Sequence, residues 1–169
     1  MTPPPLRFTH DDANRAYDDW GANCGPGAIA AMLGMTLDEL RPQMGDFEDK
    51  RYTNPTLMWD VLNRIGVGFS LTKPARSWPD YGLARVQWEG PWTNPGVPPR
   101  AAYRHTHWVG AHGKNPENVG IFDINCMNSG GWVNVFDWAG TIVPHLVQNC
   151  CPKGASGRWH LTHVVEIKV

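Results

Sequence analysis

Residues 22–33 read Ala-Asn-Cys-Gly-Pro-Gly-Ala-Ile-Ala-Ala-Met-Leu. A cysteine, Cys24, stands ahead of Gly25-Pro26-Gly27, and the helix-forming run Ala28 to Leu33 follows. The pattern predicts a helix from Cys24 to Leu33, closed by Gly34. A thiol in the first turn of a helix faces the positive end of the helix dipole and N–H groups that have no intrahelical partner. Both favour the thiolate, the nucleophilic form of cysteine. The flanking glycines leave room for a substrate backbone to come close. Cys24 is therefore the candidate nucleophile, and the rest of the chain has to supply a base.

Outward from this stretch, helices precede strands. Thr36 with Glu39 three residues later has the form of a capping box, which predicts a short helix from Thr36 to Gln43. Asn54-Pro55 predicts the start of a third helix, Thr56 to Ile65, stopped by Gly66. Strand-like runs are expected at Val67 to Leu71, Leu83 to Trp88, Thr106 to Ala111, Val119 to Ile124, Trp132 to Phe136 and His160 to Val169. Gly and Asn punctuate them, so an antiparallel sheet is favoured. The order of elements is that of an α+β domain. Residues 1–14 read as an irregular, proline-rich lead-in and 15–169 as one domain. A Pro- and Trp-rich insert at about 73–100 is expected to border a cleft.

Seven histidines compete to be the base, and His107 is the best placed. It lies in Arg104-His105-Thr106-His107-Trp108-Val109-Gly110, where a strand would hold the imidazole rigidly. His105 shares its face by alternation, and the apolar pair Trp108-Val109 favours His107. On the next strand-like run Asp123 follows Ile121-Phe122, positioned to orient an imidazole, and Asn125 shares its facing as an uncharged alternative. A Cys–His pair supported by Asp or Asn suits acyl transfer through a thioester.

This ordered set resembles the papain-like cysteine peptidases, closest to the branch of the bacterial double-glycine leader peptidases. Cys24-Gly25-Pro26-Gly27-Ala28, His107-Trp108-Val109 and Asp123 match that family's Cys, His and Asp motifs in order. Phe136-Asp137-Trp138-Ala139-Gly140 is similar in character to its closing Phe-x-x-x-Trp-x-Gly, with different spacing. The likeness covers roughly residues 20–140. It implies a papain-like fold, N-terminal helices packed on an antiparallel sheet, and a thiol hydrolase that cleaves a peptide or isopeptide bond without a cofactor. The family places a Gln six residues before the nucleophile as an oxyanion donor, and here that residue is Asp18. Asn23, Asn14 or Trp20 are the substitute donors, beside the Cys24 backbone N–H. Alternatives are a peptidoglycan amide hydrolase and a catalytically inactive papain-like binding or inhibitor module of a phage or effector.

Composition limits the classes further. With 169 residues, 41% hydrophobic and 18% charged, the chain suits a folded domain with a sizeable core. A net charge of -1 without a basic stripe argues against nucleic acid as partner. The first residues, Met-Thr-Pro-Pro-Pro-Leu-Arg-Phe, lack a signal peptide's apolar core, and no segment suits a membrane span. The expected setting is thus cytoplasmic, in the producer or a host, with a peptide or protein substrate. Cys24, Cys126, Cys150 and Cys151 are expected as reduced thiols, and their spacing builds no metal site.

Overall fold

The computed structural model describes residues 2–72, 75 and 77–168. Lys73, Pro74 and Arg76, from the expected insert, and Val169, from the last expected strand, lie outside the described residues.

Thr9 begins the first helix. Its hydroxyl accepts from the Asp12 N–H at 3.2 Å, and the Asp12 carboxylate accepts from the Thr9 N–H at 2.8 Å. This capping box starts α1 (His10–Trp20) inside the stretch read as irregular through residue 14. The lead-in is anchored as well as shorter. Arg7 makes two 2.9 Å bonds to Glu39, and buried Phe8 packs edge-on against Phe122 at 5.9 Å.

Three helices follow the expected signals. α2 (Cys24–Leu33) ends at Gly34 in the left-handed conformation, φ 64°. α3 (Leu37–Leu40) carries the Thr36–Glu39 capping box and passes into a 3₁₀ turn at Arg41–Gln43, where Pro42 lacks the N–H that an α-helix needs. After the short α4 (Phe47–Lys50), Asn54 accepts from the Leu57 N–H at 2.8 Å and caps α5 (Pro55–Ile65).

Six strands then build one sheet: β1 (Gly68–Thr72), β2 (Tyr81–Trp88), β3 (Thr106–His112), β4 (Gly120–Phe122), β5 (Trp132–Asn134) and β6 (Trp159–Lys168). Their spatial order is β1-β6-β2-β3-β4-β5, and every neighbouring pair is antiparallel. The 73–100 segment, read as a Pro- and Trp-rich insert bordering a cleft, is also part of the sheet. It contributes β2, which is buried along its whole length and pairs with both β3 and β6. The part after β2 is superficial and carries a 3₁₀ turn at Pro91–Thr93 and the short α6 (Pro99–Ala102).

Both faces of the sheet are covered. Leu83, Trp108, Phe122 and Val165 pack against α1, α2, α3 and α5. Ala84, Val86, Val109, Ile121 and Val164 pack against a second layer, formed by α7 (Val135–Asp137), a π-helical turn (Trp138–Ile142) and α8 (Val143–Asn149). Each fully buried aliphatic or aromatic side chain here contributes about 1.5–3 kcal/mol. The molecule is a mixed α+β domain around an antiparallel sheet. No helix among the described residues is long and apolar enough to cross a membrane.

Candidate active site

Antiparallel pairing sets the end of β4 at Gly110 of β3, so the chain beyond Phe122 runs toward the start of β3, and the N-terminus of α2 comes up to the same end of the sheet. Three sequence-distant residues meet there. Cys24 opens α2, His107 is the second residue of β3, and Asp123 directly follows β4. His107 Nε2 lies 3.0 Å from Asp123 Oδ1, although the ring N–H is not aligned with that oxygen. The contact is thus a close ion pair more than an aligned hydrogen bond. With Nε2 facing Asp123, Nδ1 is the nitrogen left for the thiol.

Asp123 is wholly buried and His107 nearly so. The indole N–H of Trp138 donates to Asp123 Oδ2 at 2.8 Å. The Asn125 backbone N–H and side-chain amide each donate to Oδ1 at 2.9 Å. One face of the imidazole is stacked on Trp88, with centroids 6.2 Å apart and planes inclined 22°. Behind it Trp88, Trp138, Trp78 and Trp159 form one aromatic block. The pair is therefore held from behind by packed aromatic rings, while His107 and Trp88 also line the cleft at Cys24.

The ionisation pattern follows from this geometry. Burial pushes the Cys24 thiol up, but the adjacent His107 ring and the Trp108 main chain pull it further down, to a net value below that of an ordinary thiol. Burial also disfavours charged His107, yet Asp123 on one side and Cys24 on the other hold its pKa well above the usual imidazole range. Asp123 is raised by burial and lowered more by His107, Trp138 and Asn125, so it stays a carboxylate. The three shifts together favour a thiolate–imidazolium pair backed by a carboxylate.

The other thiols behave differently. Burial pushes Cys126 up to about 12 and Cys151 up to about 11. All four cysteines are free. Cys150 and Cys151, for which the sequence suggested no chemistry, line the same cleft as Cys24. Among the described residues, no cluster of three or more His, Cys, Asp or Glu side chains is arranged to hold a metal ion.

The remaining candidates separate clearly. Asn125 braces Asp123, with its main-chain N–H and its side-chain amide both donating to Oδ1. Asn23 lines the cleft, but its amide donates to the Ala13 carbonyl at 2.8 Å, and it makes no side-chain cap on α2. The first-turn N–H groups of Cys24 and Gly25 are thus left uncapped beside the thiol. His105 precedes β3 and packs against Trp92, 4.3 Å between centroids, outside the cleft. Asp18 is exposed and does not line the cleft, which α1 reaches through His10, Asn14 and Tyr17 on one helical face. Trp20 is buried in the core.

The glycines at the helix mouth have a role different from the expected one. A Cβ at Gly25 would lie 2.5 Å from Thr53 Oγ1, and one at Gly27 would lie 2.5 Å from Ile124 Cδ1. They admit the protein's own side chains, not a substrate backbone. Gly27 lets α2 close on the segment that carries Asp123. Trp138, Trp88 and the arginines described below were not singled out from sequence. Trp138 had only the likeness of residues 136–140 to a family ending as a signal.

No known family model matches the chain, and no curated protein is significantly similar to it in sequence.

Proposed function

We propose that the protein is a papain-like thiol hydrolase that cleaves a peptide or isopeptide bond. The observation that carries this reading is the buried His107–Asp123 pair at 3.0 Å, set beside a thiol whose pKa the His107 ring lowers. The ordered likeness of the Cys24, His107 and Asp123 motifs to that family supports it.

In this reading the Cys24 thiolate attacks the substrate carbonyl. The oxyanion receives the Cys24 and Gly25 N–H groups at the start of α2, helped by the helix dipole. His107 gives its proton to the departing amine as the C–N bond breaks, leaving a thioester on Cys24. Neutral His107 then takes a proton from water, which attacks the thioester; the thiolate leaves and the acid product departs. Asp123, fixed by Trp138 and Asn125, holds the imidazole in one orientation and stabilises its charged form. A carboxylate at Asp18 would oppose a nearby oxyanion, but Asp18 is exposed and outside the cleft. In this reading the oxyanion relies on the main-chain N–H groups at the start of α2, with Asn14 as the polar side chain of the expected set that lines the cleft without a bond to the main chain.

Alkylation with iodoacetamide near neutral pH, read residue by residue by mass spectrometry, tests the proposal. Cys24 is expected to react faster than Cys126, Cys150 and Cys151. Labelling of Cys24 no faster than that of exposed Cys150 would overturn it.

A further inference from the structure

Two clefts meet at Cys24, and they differ in charge. The first, about 470 Å³, contains His107 and Asn125. The second, about 880 Å³, lies on the other side of the thiol, between the 51–55 segment, β2 and the 99–104 segment. Arg51, Arg85, Arg100 and Arg104 line the second cleft, and no Asp or Glu does. In a chain of net charge -1 this is a concentrated cationic site.

Arg85 marks it as built. This residue sits on the central strand β2 and is only 7% exposed. One terminal nitrogen donates to the Tyr103 carbonyl at 3.3 Å, and the guanidinium lies over the Tyr103 ring, 5.8 Å from its centroid. Its Nε has no hydrogen-bond partner among the described residues. A buried guanidinium without a carboxylate is unfavourable for folding. A ligand carboxylate in the cleft that Arg85 lines would supply the counter-charge this guanidinium lacks. Burial lowers the Arg85 pKa, and negative charge at Cys24 is among the influences that raise it again, so the two groups sense one another across the cleft.

The position of the base assigns the cleft a direction. His107 must protonate the departing amine, and it lines the first cleft but not the second. The leaving group therefore belongs on the His107 side, and the acyl portion extends among the arginines. We infer that the arginine cleft binds a carboxylate on the acyl side of the scissile bond, so that the substrates are acidic acyl donors. This inference rests on the thiol-hydrolase reading for its direction. Two sources present the same anion: an acidic side chain in an ordinary peptide, or the free α-carboxylate of a γ-linked glutamyl isopeptide.

Iodoacetate and iodoacetamide test it with one reaction. In both, the thiolate forms a C–S bond as iodide leaves with the C–I electron pair; only the carboxylate differs. The quantity read is the iodoacetate-to-iodoacetamide rate ratio at Cys24, divided by the same ratio for neutral N-acetylcysteine amide. It is expected to exceed one by about tenfold at low salt and to fall in 0.5 M NaCl, where charges are screened to about 4 Å. His107 adds its own attraction, so the deciding reading is a severalfold fall in Arg85→Gln and in Arg100→Gln, the latter at an exposed position that leaves the core intact. A ratio unmoved by Arg100→Gln and Arg85→Gln overturns the inference.

Slow labelling by both reagents would instead overturn the thiol reading, and the cleft is then judged in Cys24→Ala. There the Arg85 Nε–Hε resonance is followed by NMR during titration with three small probes. N-acetylisoglutamine carries only a side-chain carboxylate, N-acetylglutamine only an α-carboxylate, and N-acetylglutamine amide neither. A shift with either anion but not with the neutral amide supports the site and identifies the source. An equal response to all three, or to none, overturns it.

Discussion

The indole N–H of Trp138 donates to Asp123 Oδ2 at 2.8 Å, so the carboxylate that faces His107 is held from behind by a fully buried tryptophan. Trp138→Phe keeps most of the ring volume and removes the donor. Hydrogen bonds to charged groups are worth about 1.5–3 kcal/mol, and a loss of that order is expected in denaturant unfolding. Asp123 would become less acidic and hold His107 less firmly. The pH midpoint of Cys24 alkylation should therefore move up.

Asp123→Asn leaves a buried imidazole without its counter-charge. Breaking a buried pair from one side typically destabilises by about 3–5 kcal/mol. The difference should depend on pH in a defined way. Asp123 has a lowered pKa, so its contribution is present above the unfolded carboxyl value of about 3.9 and is lost as pH falls through the folded value. His107 has a raised pKa, so its contribution is complete below about 6.5 and is lost as pH rises through the folded value. Unfolding curves of wild type and variant should differ most between about pH 4 and pH 6.5.

His107→Ala removes the leading influence that lowers the Cys24 pKa and leaves the burial that raises it. Iodoacetamide labelling of Cys24, fast near neutrality in the wild type, should then need alkaline pH. A variant that still labels quickly at pH 6 would show that the helix start alone sustains the thiolate.

Gly25→Ala would push a methyl group into Thr53, whose carbonyl accepts the Trp108 indole N–H at 3.0 Å. Overpacking of this kind is worth about 1–3 kcal/mol. Because Trp108 adjoins His107 in β3, a fall in Cys24 reactivity should accompany the fall in melting temperature.

Asn125→Ala deletes one of two Asn125 bonds to Asp123, and the backbone bond survives. Because Asn125 is exposed and water can replace its amide, a loss below the about 1.5–3 kcal/mol of a buried bond to a charged group is expected. The alkylation profile should shift less than in Trp138→Phe, which separates a bracing role from membership of the reacting set.

The features legible in the sequence were those with local causes. Thr36 with Glu39, Asn54 with Pro55, and the glycines after α2 and α5 are short-range signals, and the helices begin and end where these residues dictate. Cys24, His107 and Asp123 stood out by type and order before the structure placed them together. Other features were hidden for physical reasons. β2 is buried on both faces, so the expected strand-like run Leu83-Ala84-Arg85-Val86-Gln87-Trp88 lacks the alternation of a one-sided strand, and nothing in it marks a central strand rather than part of an insert. α1 begins inside the proline-rich lead-in, and its buried stripe is only Ala13, Ala16 and Trp20, too small to stand out as an apolar face. Trp138 and the four arginines gain meaning only through tertiary convergence, which spacing along the chain does not encode.

The electrostatic setting of the cysteines makes the molecule a gauge of its own unfolding, with two needles moving in opposite directions. Cys126 and Cys151 are suppressed by the native state, at about 12 and about 11, and would relax toward an ordinary thiol near 8.5 on denaturation. Cys24 is instead activated by the fold and would become ordinary from the other side. Crossing of the two labelling signals along a denaturant series would mark the disassembly of the site without any substrate. A loss of the Cys24 signal before the gain at Cys126 would reveal local opening at the start of α2 ahead of global unfolding.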